Sequence, residues 1–302
     1  MHPAELAILL HRALEVRLAG LQALLAPADW AENMEQLHQV RVSARRLGAV
    51  LDLVDAEAYP GHKSRRRALK DLVDVLGLPR ELDVHADDLR ARLLEARNPV
   101  QAAALEHLLE GMDRARAKAR RAMRRELEHL RLPDLQRLLE VPALRDPFQQ
   151  MSLQEAAWAC LGPRVEAALG DLAPLAAQED APALHKARVR IKKLRYALEA
   201  LESAFAAPPE ALLKELRGLQ TALGDHHDLA TLEALLWETE AGLRSRDRGT
   251  LRGGVLELLG EVAEARRAAF DRFTALAPRQ GSAAFSRALR EALGLPPADG
   301  SL

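Results

Sequence analysis

The chain has 302 residues, a net charge of −1 and a pI of about 6.8, so its bulk charge does not mark it as a nucleic-acid or membrane binder. A single cysteine, Cys160, excludes an internal disulfide and a cysteine-rich metal site, and its apolar neighbours Trp158, Ala159 and Leu161 predict a packed thiol. Aromatic residues make up only 3%, so the core must be built mainly of Leu and Ala, both strong helix formers.

Taken in chain order, helical periodicity predicts helices over 3–26, 31–57, 62–77, 82–96, 100–131, 134–140, 151–172, 182–206, 209–223, 227–243, 247–277 and 283–293. Pro and Gly fall mainly between them, as at Pro27, Pro60-Gly61, Gly77, Pro99, Pro133, Pro147, Pro182, Pro208-Pro209, Gly224, Pro278 and Gly281. Ser152 and Ser282 stand where N-caps are useful, and the tail from Pro296 onward is expected to fray. Ile occurs only at Ile8 and Ile191, and no alternating run of strand length is present, so the fold class is all-α. The first 25 residues lack the pattern of a signal peptide, and the apolar runs are too short to span a bilayer; a cytoplasmic location is expected.

The segment Leu37–Val54 (LHQVRVSARRLGAVLDLV) aligns without a gap on Leu184–Leu201 (LHKARVRIKKLRYALEAL), at an offset of 184 − 37 = 147 residues, with six of eighteen positions identical. Arg45/Lys192, Arg46/Lys193 and Asp52/Glu199 keep their charge. The same offset places Leu72, Leu76 and Gly77 on Leu219, Leu223 and Gly224, Lys70 on Arg217, and Arg120 on Arg267. The expected architecture is therefore two pseudo-symmetric helical bundles from an internal duplication, residues 1–148 and 149–302, with a basic surface between them.

At about 100° per residue, Leu184, Ala187, Ile191, Leu194, Leu198 and Leu201 form one core-facing stripe. His185, Arg188, Lys192, Arg195 and Tyr196 run beside it. In the earlier segment the core stripe is Leu37, Val40, Ala44, Leu47, Leu51 and Val54, with His38, Arg41 and Arg45 alongside and Gly48 at the position of Arg195. A solvated helix normally mixes signs to gain i,i+4 pairs, yet Lys186 to Arg195 holds six basic residues and no acid. Lys63 to Lys70 and Arg114 to Arg125 are also basic, whereas acids gather at Asp83–Asp88 and Glu233–Glu240. The near-zero total hides a segregated distribution that suits a polyanionic partner.

Arg forks and Lys point charges fit phosphate oxygens. Sequence-tolerant binding of single strands uses aromatic platforms, and only Tyr196 lies in a basic stripe; helix-turn-helix and zinc-finger patterns are absent. A phosphate chain without bases fits better than sequence-specific nucleic acid, and no membrane partner is expected.

These residues resemble a known family. LHKARVRIKKLRYALEAL resembles the signature helix of the CHAD family (conserved histidine α-helical domain), and LHQVRVSARRLGAVLDL its first-half partner. LGLPRELDV (Leu76–Val84) and LGDHHDLATL resemble two further family segments, in the family's order. The resemblance implies two helical bundles related by a pseudo-twofold, a basic surface between them, binding of inorganic polyphosphate and, in some members, association with polyphosphate granules. Carried over by position, it implies a binding surface of His38, Arg41, Arg45, Arg46, His185, Arg188, Lys192, Lys193, Arg195 and Tyr196. Arg66, Arg67, Lys70, Arg120, Arg124, Lys214, Arg217 and Arg267 extend it. Gly48 stands where the family often has a basic residue, so the first segment is expected to grip more weakly; Glu81 stands where Asp is usual. The first 36 residues carry no Glu-x-Glu-x-Lys strand, so the triphosphatase activity of some relatives is not expected.

Asp225-His226-His227-Asp228 invites a metal-dependent phosphohydrolase reading, because Asp and His are metal ligands. Neighbouring residues on a helix point apart, however, and a helix starting after Gly224 with Asp225 as its cap accounts for the run. The expectation is a non-catalytic binding module with no catalytic residues, metal or cofactor. The phosphohydrolase, and a scaffold for acidic protein partners, stay as alternatives.

Overall fold

The computed structural model describes residues 5–27, 29–54, 61–130, 151–177, 179–244, 248–277 and 281–296. The expected helix at 134–140, the breaks at Pro60, Pro133, Pro147 and Pro278, the boundary between residues 148 and 149, and the tail beyond Pro296 lie outside them. Among the described residues the secondary structure is helical, with no strand: α1 Glu5–Leu25, α2 Met34–Leu51, α3 His62–Val75, α4 Gly77–Leu94, α5 Pro99–His129, α6 Leu153–Leu169, α7 Leu172–Ala177, α8 Ala181–Ala200, α9 Glu210–Arg244, α10 Gly249–Leu276 and α11 Ser282–Ala292. A short 3-10 turn follows α8 at Glu202–Ala204. None of these helices is long and apolar enough to cross a membrane.

The residues sort into two compact units, each discontinuous in sequence. The first draws on 1–73, 130–221 and 273–302, the second on 74–129 and 222–272. This is a division by contact, and each unit takes segments from both sides of the sequence midpoint.

In the first unit the two repeated segments become α2 and α8, and these helices pack against each other. Their expected core stripes are buried throughout, from Leu37 to Val54 and from Leu184 to Leu201. α1 lays Leu6, Leu10, Leu14, Leu18 and Leu21 inward against α2, and α6 packs on α8 with Cys160 buried among its apolar residues. α6 begins at the expected cap. Ser152 Oγ accepts from the Glu155 amide at 3.2 Å, and the Glu155 carboxylate accepts from the Ser152 amide at 2.8 Å, a reciprocal capping box. Ser282 departs from expectation. Gly281 takes the cap position at φ 60°, a conformation open to glycine, and Ser282 Oγ instead donates to Glu166.

The second unit is a four-helix arrangement. Ala86 and Leu89 of α4, Leu105, Leu108 and Met112 of α5, Leu232, Leu236 and Leu243 of α9, and Val255, Leu258, Leu259 and Val262 of α10 share one apolar core. α5 and α10 come very close at Gly254. A Cβ there would lie 2.7 Å from that of Ala104 and clash with the Val100 carbonyl oxygen, so only glycine permits the approach.

One expected break is missing. The residues around Gly224 do not separate two helices, and α9 runs unbroken from Glu210 to Arg244. The aligned stretch near Gly77 does break, at Leu76, between α3 and α4. Proline accounts for the difference. Pro79 lacks the amide that would bond the Val75 carbonyl, and its ring would crowd that oxygen, so α3 stops and Pro79 falls in the first turn of α4. The residue aligned with it is His226, which continues a helix, and Asp225 is therefore an interior residue rather than a cap.

Candidate anion-binding site

The apolar stripes of α2 and α8 turn inward, and this fixes where the neighbouring cations go. α8 begins at Asp180, whose side chain accepts from the Ala183 amide at 3.2 Å. α2 begins at Asn33, capping Gln36 at 3.0 Å. With these starts set, Arg41 and Arg45 of α2 act electrostatically on Lys192 of α8, together with Arg188 and Arg195 from its own helix. Lys192 is half-buried. Burial and four positive neighbours (Arg45, Arg188, Arg41 and Arg195) push its pKa down from 10.5 to about 7. His185, two turns back, is also half-buried, and burial together with Arg188 and Lys192 lowers its pKa. Arg188 has a buried Nε that makes no hydrogen bond, and no ion pair is formed by Arg188 among the described residues.

A second layer braces this cluster. Arg195 donates from Nη1 to Glu199 Oε1 at 2.7 Å and from Nε to Gln220 Oε1 at 2.9 Å. Its guanidinium lies 4.6 Å from the centre of the Tyr196 ring. Arg46 approaches the same ring at 5.9 Å and the Glu199 carboxylate at 3.6 Å. Tyr196 is 6% exposed, so the ring supports these guanidiniums from below and offers no open stacking platform.

The α2 end is built differently. Gly48 carries no side chain, and Arg66 from α3 occupies the space: a Cβ on Gly48 would lie 3.2 Å from Arg66 Nη1. Arg66 holds Asp52 through Nε–Oδ1 at 2.6 Å and Nη2–Oδ2 at 3.0 Å. Asp52 and Glu199 are aligned residues, so each carboxylate holds a guanidinium, one from its own helix and one from the next. The alignment pairs Asp52 with Glu199 by charge, but nothing in the sequence names Arg66 as a partner.

Lys193, the next residue along α8, is exposed. It lines a cleft of about 280 Å³ with Ala49, Asp52, Arg164, Arg190 and Ala197. Arg164, which no sequence pattern singles out, donates from Nη2 to the Asp52 carbonyl at 2.6 Å and from Nη1 to the Cys160 carbonyl. Arg190 pairs with Asp171 at 3.5 Å.

The remaining predicted residues are dispersed. Arg67 is exposed and 3.9 Å from Asp71, while Lys70 of α3 and Lys214 and Arg217 of α9 are exposed in the first unit. Arg120, Arg124 and Arg267 belong to the second unit. There Arg120 Nη2 lies 3.3 Å from the fully buried Asp83, which is also held by Arg116 at 2.7 and 2.8 Å. Arg116 was missed by the sequence reading. Its i,i+4 spacing from Arg120 would have shown that both reach one point.

The Asp225–Asp228 run lies within α9. His226 is buried with its ring 6.2 Å from that of Phe270, and Asp225 accepts from Arg272 at 2.9 Å. Among the described residues no group of three or more His, Cys, Asp or Glu is placed to hold a metal ion.

A family model for the CHAD domain matches residues 12–237. Among solved structures, the chain is similar to the CHAD domain from the plant Ricinus communis, at 25% identity and a TM-score of 0.63, covering 92% of this chain and 94% of that one. It is also similar to PptA from Streptomyces chartreusis, at 19% identity and a TM-score of 0.66, covering 89% and 98%, a likeness of fold. No curated protein matches the chain.

Proposed function

The chain belongs to the CHAD family, and from that premise we propose that it binds inorganic polyphosphate on the cationic face that α2 and α8 build together, without catalysing a reaction. One observation carries the reading: Lys192 is half-buried and feels the positive charge of four arginines drawn from two helices. Crowded cations repel one another, and the repulsion is relieved when an anion lies among them. A site for a single small anion would need few such groups. Here the basic residues continue along both helices, so a chain of phosphates can engage several at once and gain avidity.

The phosphate oxygens would be met first by Arg41, Arg45, Arg188 and Lys192, with His38 and His185 at the flank. Arg195 and Arg46 are held by Glu199 and add field from the side. Lys193, Lys214, Arg217, Lys70 and Arg67 would extend the contact along a longer chain. Arg66 is engaged by Asp52 and contributes by shape.

Calorimetry with long-chain polyphosphate, tripolyphosphate and single-stranded RNA tests the reading. Affinity should rank in that order, with polyphosphate tightest, and fall as salt is added, because bound cations displace counterions; the linkage is quantified for nucleic acids and extends here by analogy. Replacing Arg188 and Lys192 by Glu together should abolish binding with helicity intact. Equal affinity for all three ligands, or binding that survives the double replacement, overturns the assignment.

A further inference from the structure

Arg190 and Lys193 lie three residues apart on α8 and so share a face of that helix. Both line the cleft of about 280 Å³ bounded by α2, α6 and α8, which lies within the first unit, and Arg164 of α6 lines it with them. We propose that this cleft is a site for a small phosphate dianion, either orthophosphate or the terminal phosphate of a short chain, held by Arg164, Arg190 and Lys193. It is separate from the face around Lys192, since none of Arg41, Arg45, Arg188 and Lys192 lines it.

The room comes from small side chains. Ala49, Ala167 and Ala197, one from each helix, form the apolar part of the lining. Pockets for drug-sized molecules run from about 300 to 1,000 Å³. The cleft falls just short of that range, so it admits a group of a few heavy atoms and excludes a nucleotide.

Charge selects an anion. Arg164 donates to the Asp52 carbonyl at 2.6 Å and to the Cys160 carbonyl. Carbonyls are neutral, so these bonds fix the guanidinium in place without cancelling its charge, and they leave further N–H donors for a ligand. A donor already fixed loses little freedom when a ligand arrives. Neither Arg164 nor Lys193 pairs with a carboxylate among the described residues. Arg190 reaches Asp171 at 3.5 Å, where the two side chains are 50% and 82% exposed, so that pair is weak and readily exchanged for a better anion. One carboxylate lines the cleft, that of Asp52, and both its oxygens are held by Arg66 at 2.6 and 3.0 Å. With Asp52 and Arg190 matched, the charges of Arg164 and Lys193 remain. A phosphate dianion balances both, whereas a monocarboxylate balances only one. Satisfying the end of α2 accounts for Arg164 by itself, but not for two further cations on the same cleft.

The site does not depend on polyphosphate binding around Lys192. Equilibrium dialysis of the full-length chain against radiolabelled orthophosphate in chloride buffer tests it. The expected result is saturable binding of one equivalent, falling at least five-fold in Arg190→Gln and in Ala167→Leu, whose larger side chain fills the cleft from an exposed position. Circular dichroism confirms the fold of both variants. Ala167→Leu should leave the affinity for long-chain polyphosphate unchanged, and Arg188→Gln with Lys192→Gln should leave the orthophosphate equivalent in place. Unlabelled tripolyphosphate identifies the source. Displacement of the label means that a chain end enters the cleft, and no displacement means that free orthophosphate is the occupant; either result upholds the site. No saturable binding, binding unchanged in both Arg190→Gln and Ala167→Leu, or binding lost in the Arg188→Gln with Lys192→Gln pair overturns it. Absence of polyphosphate binding with the orthophosphate equivalent retained would defeat only the preceding reading.

Discussion

Arg66 grips the carboxylate of Asp52 with two hydrogen bonds, at 2.6 and 3.0 Å, across the space that Gly48 leaves open. The aligned position in α8 carries Arg195, which turns back along its own helix to Glu199 at 2.7 Å. The absence of a side chain at Gly48 is thus filled by a neighbour, and the α2 end keeps a braced guanidinium.

Two substitutions at Gly48 should have opposite effects. Gly48→Ala gains up to about 1 kcal/mol of helix propensity. Its Cβ meets only the mobile end of Arg66, at 3.2 Å, so a small shift suffices and the variant should be slightly more stable. Gly48→Leu fills the space, displaces Arg66 and leaves Asp52 without its fork, with an expected loss of about 1–3 kcal/mol. Urea denaturation of both variants, read by circular dichroism, checks the sign of each.

Asp83 is fully buried and held by Arg116 and Arg120. Removing the negative partner strands two guanidiniums in a partly dry setting, so Asp83→Asn should cost about 3–5 kcal/mol. Arg116→Ala should cost more than Arg120→Ala, because Arg116 makes the shorter contacts, 2.7 Å against 3.3 Å. Hydrogen exchange should place the loss first in α4 and α5. Equal effects of the two arginine replacements would mean that the geometry does not rank their contributions.

The helices and both core stripes could be read from periodicity, since Leu and Ala at helical spacing have one stable use. The cations beside the stripes could be placed by angle for the same reason. The pairings could not. Arg66 reaches Asp52 across 14 residues, Arg116 reaches Asp83 across 33, and Arg164 reaches the Asp52 carbonyl across 112. Such partners are chosen by tertiary packing, which leaves no local spacing to detect. Tyr196 shows a related limit. Its wheel angle places it beside Lys192, but angle alone does not reveal that Arg195 lies over its ring. The unbroken α9 was readable in principle, because the proline that splits the aligned stretch has no counterpart at His226.

Lys192 should make the unliganded protein less stable in acid. Unfolded, its amine keeps an ordinary pKa of 10.5; folded, the value is about 7. Between those values the unfolded chain holds more protons, so stability rises with pH, and below about 7 the penalty is present in full. Lys192→Met should therefore stabilise the protein clearly at pH 6, by on the order of 1–3 kcal/mol, and have little effect near pH 10. Melting curves in carbonate-free buffer at both pH values test this. An equal shift at the two would assign the effect to packing.

The same amine should make polyphosphate binding take up protons. In the free protein Lys192 is about half protonated near pH 7, and an anion among the arginines raises its proton affinity. Binding at pH 7–8 must then draw a proton from the buffer, and affinity should be higher at pH 6 than at pH 8. Because His185 lies two turns away with a lowered pKa of its own, it contributes to the uptake in the same direction. Calorimetric titration in two buffers of different ionisation enthalpy measures the protons directly. Wild type should show net uptake, and Lys192→Met should lose most of it while Arg188 and the α2 arginines still support weaker binding. Uptake that is unchanged in Lys192→Met but lost in His185→Gln would assign the titrating group to the histidine. No uptake in either protein would mean that the phosphate chain does not come to lie among the arginines that act on Lys192.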